Sequence, residues 1–137
     1  MGDTKRLRVV VADDHPMVLE RLQGILECEY AVVAAVSDGA AALSETRRLS
    51  PDVVVCDVGM PGRNGFDVAR ELLCAAAATR LVFVTTIADP AYVTEAFRIG
   101  VSGYVLKSAA GSELCAAVRS AAAGGRYLSS GLRGSIS

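Results

Sequence analysis

The sequence lacks the features that mark several classes of protein. Its 137 residues include no tryptophan, a single histidine and four cysteines. None of the cysteines forms a CxxC pair, and no group of cysteine and histidine has the spacing of zinc ligands. We therefore expect neither a zinc site nor a dithiol redox motif, and interpret the four cysteines as buried small hydrophobic side chains in a reducing compartment.

Excess charge and long apolar runs are also missing. The formal net charge is −1, which gives no support for nucleic-acid binding by this segment, since such binding usually needs a basic face. No apolar run approaches the roughly 20 residues needed to cross a bilayer, and no apolar signal core follows the basic N-terminus. With 52% hydrophobic and 21% charged residues, the composition predicts one globular, cytoplasmic domain without membrane contact.

Short β-branched runs alternate along the chain with longer amphipathic runs. The β-branched runs predict strands at residues 7–12, 30–36, 53–56, 81–85 and 103–106. The amphipathic runs predict helices at residues 16–26, 39–49, 65–77, 90–99 and 108–123. Ser37 or Asp38 is expected to cap the second helix and Ser108 the fifth, with Gly124 and Gly125 ending the fifth helix.

Five strand–helix units in a row predict an α/β fold with helices on both faces of a parallel sheet. The strands are continuously apolar, as expected for strands that are buried on two faces. For five units, the flavodoxin-like (βα)5 arrangement with strand order 2-1-3-4-5 is expected. Residues 1–125 would form this domain, and the Ser- and Gly-rich residues 126–137 would be a tail or the start of an interdomain linker.

Polar residues follow the predicted strands at their carboxyl ends, where ligands bind in such folds. Asp13 and Asp14 follow the first strand, Asp57 follows the third, Thr85 ends the fourth and Lys107 follows the fifth. Three neighbouring carboxylates cannot all stay ionised without a counter-charge, which a divalent cation such as Mg²⁺ provides. With a lysine opposite, the cluster is suited to receiving an anion, as phosphoryl transfer requires.

At these positions the sequence resembles the receiver domain of two-component response regulators over about residues 7–124. The matching segments are VVVADDHP, VVVCDVGMPGRNG (which contains Asp57, Met60, Pro61 and Gly65), LVFVTT and GYVLKSA. The segments DPAYVTEAFRIGVSGYVLKSA and AAAGGRYLS are similar to the NarL/FixJ subfamily. That subfamily usually carries a C-terminal helix-turn-helix DNA-binding domain, which is not within these residues.

The resemblance assigns a role to each residue of the acidic cluster. Asp57 would accept a phosphoryl group from a phosphohistidine of a sensor histidine kinase. Asp14, Asp57 and the backbone carbonyl of Gly59 would bind Mg²⁺ (or Mn²⁺), and Asp13 would act mainly through a metal-bound water.

The resemblance also implies a conformational switch. Lys107 would pair with the phosphoryl group, Thr85 would move to hydrogen-bond it, and Tyr104 would turn inward. The surface of the fourth helix, fifth strand and fifth helix would change, leading to a phosphorylation-dependent homodimer and to control of transcription through the DNA-binding domain. Such a protein is a switch that catalyses only its own phosphorylation and dephosphorylation.

Three alternatives are compatible with the fold. A metal-dependent aspartyl phosphatase of the haloacid dehalogenase type needs a second acid two residues after its nucleophile, where this chain has Gly59. A flavin- or nucleotide-binding module needs a phosphate loop rich in Gly, Ser or Thr after the first strand, where this chain has Asp13, Asp14 and His15. A degenerate interaction domain would not take up a phosphoryl group.

We interpret His15 as a loop or helix-start residue.

Overall fold

The computed structural model describes residues 6–59, 65–76 and 78–135. Met60 and Pro61, which belong to the family-like motif, lie outside the described residues. The strands are β1 (Arg8–Ala12), β2 (Ala31–Val36), β3 (Val53–Cys56), β4 (Arg80–Thr85), β5 (Gly103–Leu106) and β6 (Tyr127–Leu128). The helices are α1 (Pro16–Glu27), α2 (Gly39–Leu49), α3 (Gly65–Ala75), α4 (Pro90–Ile99) and α5 (Ala110–Ala122), with 3₁₀ helices at Lys107–Ala109 and Ser130–Ser135.

The strands form one parallel sheet in the order β2-β1-β3-β4-β5-β6. Alternate residues of each central strand face opposite sides, and both sides are buried. One side packs against α2, α3 and α4, and the other against α1 and α5. The predicted α/β class and the order of the first five strands are confirmed.

The sixth strand corrects the prediction of five. Tyr127 and Leu128 pair with Gly103 and Tyr104, and the backbone amide of Ser129 donates to the carbonyl of Tyr104 at 2.9 Å. Two residues are too few to show the periodicity by which a strand is recognised in a sequence. Within the segment predicted to be a tail, Tyr127 and Leu128 thus extend the sheet, and Leu132 is only 3% exposed.

The start of the fifth helix also differs from the prediction. A 3₁₀ turn at Lys107–Ala109 follows β5 directly, and α5 begins at Ala110 without a side-chain cap. The amide of Ala110 donates to the carbonyl of Lys107, so the tight turn itself satisfies this amide and leaves Ser108 exposed. Ser108 as a cap is therefore wrong. Of the two candidates before α2, Asp38 is the cap, and its carboxylate accepts from the amide of Ala41 at 2.7 Å.

One glycine is required by the close approach of α3 to the loop after β3. A Cβ atom on Gly65 would clash with the backbone carbonyl of Val58. This loop carries Asp57, so Gly65 allows α3 to pack directly behind the acidic edge of the sheet. In the described ranges, no helix is long and apolar enough to cross a membrane.

Candidate functional site

Three aspartates meet where β1 and β3 end. The ladder between these strands pairs Ala12 with Cys56, and Asp13 and Asp57 are the next residues of their chains. The amide of Asp57 donates to the carbonyl of Ala12 at 3.1 Å, which keeps the two strand ends side by side. Asp13 is fully buried and Asp57 is 6% exposed, whereas Asp14 is half-buried.

The aspartates, together with His15, are close enough to share a metal ion. Asp13, Asp14, His15 and Asp57 each offer one ligand atom, and these atoms lie within 4.8 Å of one another. Oδ1 of Asp14 is buried and receives no hydrogen bond, although Nδ1 of His15 lies 3.3 Å away. A buried carboxylate oxygen without a donor is costly unless a cation binds it, so the donor set fits a hard divalent ion such as Mg²⁺.

His15 was not predicted to join this cluster. It precedes Pro16 at the start of α1, as expected of a helix-start residue, and its side chain is 65% exposed. Its backbone amide donates to Oδ1 of Asp13 at 2.9 Å, and this turn brings the imidazole to the rim of the acidic site. The sequence signal for this placement was that His15 directly follows Asp13 and Asp14. Because Mg²⁺ prefers oxygen ligands, we still expect the carboxylates to hold the ion.

Lys107 provides positive charge against two of the carboxylates. Its Nζ lies 2.9 Å from Oδ2 of Asp13 and 3.1 Å from Oδ2 of Asp57. Burial by itself lowers the pKa of the Lys107 ammonium, but hydrogen bonds to Asp13 and Asp57 and the charges of both outweigh it and raise the pKa above its ordinary value. The side chain is therefore a permanent cation next to Asp57.

Thr85 and Tyr104 both contact Ile87, in the loop between β4 and α4. Oγ1 of Thr85 accepts from the amide of Ile87 at 3.2 Å, and the hydroxyl of Tyr104 donates to the carbonyl of Ile87 at 2.7 Å. Tyr104 is fully buried, and its ring meets that of Phe83 edge to face. Tyr104 thus already has the inward position that the resemblance assigns to the switched state, and the movement itself stays a prediction.

The backbone carbonyl of Gly59 was also predicted to bind the metal. The amide of Gly59 lies 3.3 Å from Oδ1 of Asp57, which places Gly59 beside the carboxylate, and ligation by its carbonyl stays a prediction. Cys56 directly precedes Asp57 and is buried, as predicted, whereas Cys28 and Cys74 are exposed, so the prediction of buried cysteines is wrong for those two. Burial, followed by the charges of Asp57 and Asp13, raises the pKa of Cys56 to about 12, so its thiol stays neutral and does not compete as a nucleophile.

Comparison with known proteins shows the family to which the chain belongs. A family model for the response regulator receiver domain matches residues 9–119. Among curated proteins, the chain is 34% identical over 125 residues to the transcriptional regulatory protein DegU of Brevibacillus brevis, covering 90% of this chain and 53% of DegU. It is 38% identical over 117 residues to the DNA-binding response regulator MtrA of Mycolicibacterium smegmatis, covering 85% of this chain and 51% of MtrA. The chain thus spans about half the length of these relatives.

Solved structures show the same similarity. A two-component response regulator of the LuxR family from Aurantimonas sp. SI85-9A1 superimposes with a TM-score of 0.88 at 35% identity, covering 93% of each chain. The signal receiver domain of the response regulator NarL from Mycobacterium tuberculosis gives a TM-score of 0.83 at 35% identity, covering 88% of this chain and 99% of that one. These matches extend over almost all of the described fold.

Proposed function

The chain belongs to the response regulator receiver domain family, and we propose from this membership that Asp57 accepts a phosphoryl group. The proposal rests most directly on the contact between Lys107 and Asp57, which lies beside the paired carboxylates of Asp13 and Asp14. Both Asp57 and Asp13 can be reached by the ammonium and by a metal ion, but of the two only Asp57 has exposed surface. Phosphoryl transfer depends mainly on such positioning and charge neutralisation.

In the proposed reaction, an oxygen of Asp57 attacks the phosphorus of a phosphohistidine on a sensor histidine kinase. The bond from phosphorus to the imidazole nitrogen breaks, and Asp57 becomes an acyl phosphate. The ammonium of Lys107 already lies 3.1 Å from Asp57 and would bind one phosphoryl oxygen. The hydroxyl of Thr85 would give up its hydrogen bond with the amide of Ile87 and bind a second phosphoryl oxygen. Both new contacts are charge-assisted hydrogen bonds.

Asp14, Asp57 and the carbonyl of Gly59 would hold Mg²⁺ or Mn²⁺ directly, and Asp13 would act mainly through a water. The bound cation would neutralise charge on the carboxylates and on the phosphoryl oxygens. Asp13 also pairs with Lys107, so it would help to keep the ammonium directed at the acceptor. The site residues fit this division because Oδ1 of Asp14 is buried without a hydrogen bond, whereas Oδ2 of Asp13 faces the ammonium of Lys107 at 2.9 Å.

The proposed output is a change of conformation rather than a product. Tyr104 and Thr85 both bind Ile87, so movement of Thr85 would alter the loop that leads into α4. The surface formed by α4, β5 and α5 would then favour a homodimer and, in a longer protein, control transcription through an attached DNA-binding domain. The relatives named as transcriptional or DNA-binding regulators support this part of the proposal. We expect the protein to act as a switch in the cytoplasm.

Labelling with a small phosphoryl donor tests the proposal. With phosphoramidate and Mg²⁺, the purified protein should gain the mass of one phosphoryl group, because the site itself supplies the catalytic groups. Asp57→Asn should abolish the gain, and chelation of Mg²⁺ should prevent it in the unchanged protein. Asp67→Asn is the matched control, since Asp67 is exposed on α3 and paired with Arg70. Labelling that persists in Asp57→Asn, or none in the unchanged protein, would contradict the proposal.

A further inference from the structure

A buried hydrogen-bond network joins the C-terminal segment to the strand that leads into Lys107. The hydroxyl of Ser129, which has no exposed surface, accepts from the backbone amide of Leu106 at 3.2 Å. The same hydroxyl donates to Oε1 of Glu113 at 2.6 Å. Leu106 directly precedes Lys107, and Glu113 lies in the first turn of α5 behind it. Ser129 therefore connects the chain on both sides of Lys107.

Glu113 is itself held firmly by the same segment. The hydroxyl of Ser130 donates to its Oε2 at 2.6 Å, and the amide of Ser130 lies 3.2 Å and 3.3 Å from its two oxygens. Burial tends to raise the pKa of Glu113, but the hydrogen bonds from Ser129 and Ser130, with a smaller effect of Arg133, outweigh it and lower the pKa. The carboxylate is thus ionised at neutral pH, which strengthens its hydrogen bonds.

Ser129 bonds the last residue of β5, Leu106, with which β6 is too short to pair. The ladder with β4 pairs Leu106 with Thr85 on the inner side of β5. On the outer side, β6 pairs with Gly103 and Tyr104 and goes no further. The side chain of Ser129 takes the place of a further strand residue and satisfies the amide of Leu106, which would otherwise lack a partner in a half-buried position.

We propose that Ser129, fixed by Glu113, is a positioning residue for Lys107. The inference rests on the proposed function, in which Lys107 steadies the phosphoryl group on Asp57. The reach of the ammonium to Asp13 and Asp57 depends on where β5 ends and how the 3₁₀ turn begins. Ser129 fixes the last amide of β5, and Glu113 fixes the helix that follows the turn. The segment after α5 thereby sets the alignment of the Lys107 side chain, which directly follows the last residue of β5.

The test compares two serines that bind the same carboxylate. Ser129→Ala removes the contact with Leu106, whereas Ser130→Ala removes a similar contact with Glu113 and leaves β5 untouched. With phosphoramidate and Mg²⁺, Ser129→Ala should phosphorylate about fivefold more slowly, the effect of about one lost hydrogen bond. Ser130→Ala should stay within about twofold of the unchanged protein. Equal rates for the two variants would overturn the proposal.

A double-mutant cycle separates positioning from general damage to the fold. In a Lys107→Ala background, Ser129→Ala should cause no further loss of rate, because the residue through which it acts is gone. Glu113→Gln, which retains an amide oxygen to accept from Ser129, is a second variant should Ser129→Ala fold poorly. It should give a smaller loss that also disappears in the Lys107→Ala background. A loss that persists without Lys107 would refute positioning, whereas an unlabelled unchanged protein would refute the proposed function instead.

Discussion

Lys107 holds together charges that would otherwise repel one another. Its ammonium contacts the fully buried Asp13 and the nearly buried Asp57. The approach of these residues could be predicted from the sequence, because each follows a strand and the carboxyl ends of parallel strands share one edge. The lysine's simultaneous contact with two carboxylates could not, since it depends on the register of β5 and on the turn that follows it.

Removing this cation should destabilise the protein most when no divalent metal is present. Lys107→Ala leaves Asp13 buried beside Asp57 without compensation, so the free energy of unfolding should fall by about 3 kcal/mol when a chelator removes divalent metal. Added Mg²⁺ should recover part of the loss, because a cation among the carboxylates replaces the missing charge. Urea denaturation with EDTA and with Mg²⁺ measures both effects.

An exposed ion pair serves as the control for this prediction. Arg98 contacts Glu95 on α4 at 2.6 Å, but both side chains are accessible to water. Arg98→Ala should therefore change the free energy of unfolding much less than Lys107→Ala does, and equally with and without Mg²⁺. If Lys107→Ala behaved like Arg98→Ala, the ammonium would not be compensating the buried carboxylates.

At the scale of elements, the sequence pattern defines the interiors of helices and strands better than their ends. The apolar runs of β1, β3 and β4 are buried on both faces as their composition indicates. Before α2, both Ser37 and Asp38 have side chains that cap helices, and only the backbone geometry separates them. Asp38 is in the extended conformation that lets its carboxylate reach the amide of Ala41.

The cap before α2 makes a testable distinction between two adjacent residues. Asp38→Ala should lower the free energy of unfolding by about 1 kcal/mol, because the amide of Ala41 loses its acceptor. Ser37→Ala, the matched control, should change it by less than about 0.5 kcal/mol, since Ser37 is exposed and does not cap the helix. Urea denaturation of both variants decides the matter, and a larger loss for Ser37→Ala would contradict the assignment.

At the scale of the whole molecule, the sheet extends further along the chain than the repeated strand–helix pattern indicates. The five units account for the chain as far as α5, and both apolar faces of the sheet could be predicted from them. The Ser- and Gly-rich composition after α5 is typical of a linker. Composition alone does not reveal that Leu132 joins the core cluster on the α2–α3–α4 side. It also does not reveal that the hydroxyl of Ser129 is buried and bonds both Leu106 and Glu113.

A chain ending at residue 125 measures what this segment contributes. The truncation exposes the surface that Leu132 covers and removes the Ser129 hydroxyl from Glu113, so the free energy of unfolding should fall by about 3 kcal/mol. Leu132→Ala in the full chain should account for a large part of that fall, about 2 kcal/mol. Denaturation curves of the three proteins give both numbers. Were the truncated chain as stable as the full one, residues 126–137 would add nothing to the fold and would behave as the linker that their composition predicts, with water replacing the two serines at the Glu113 carboxylate.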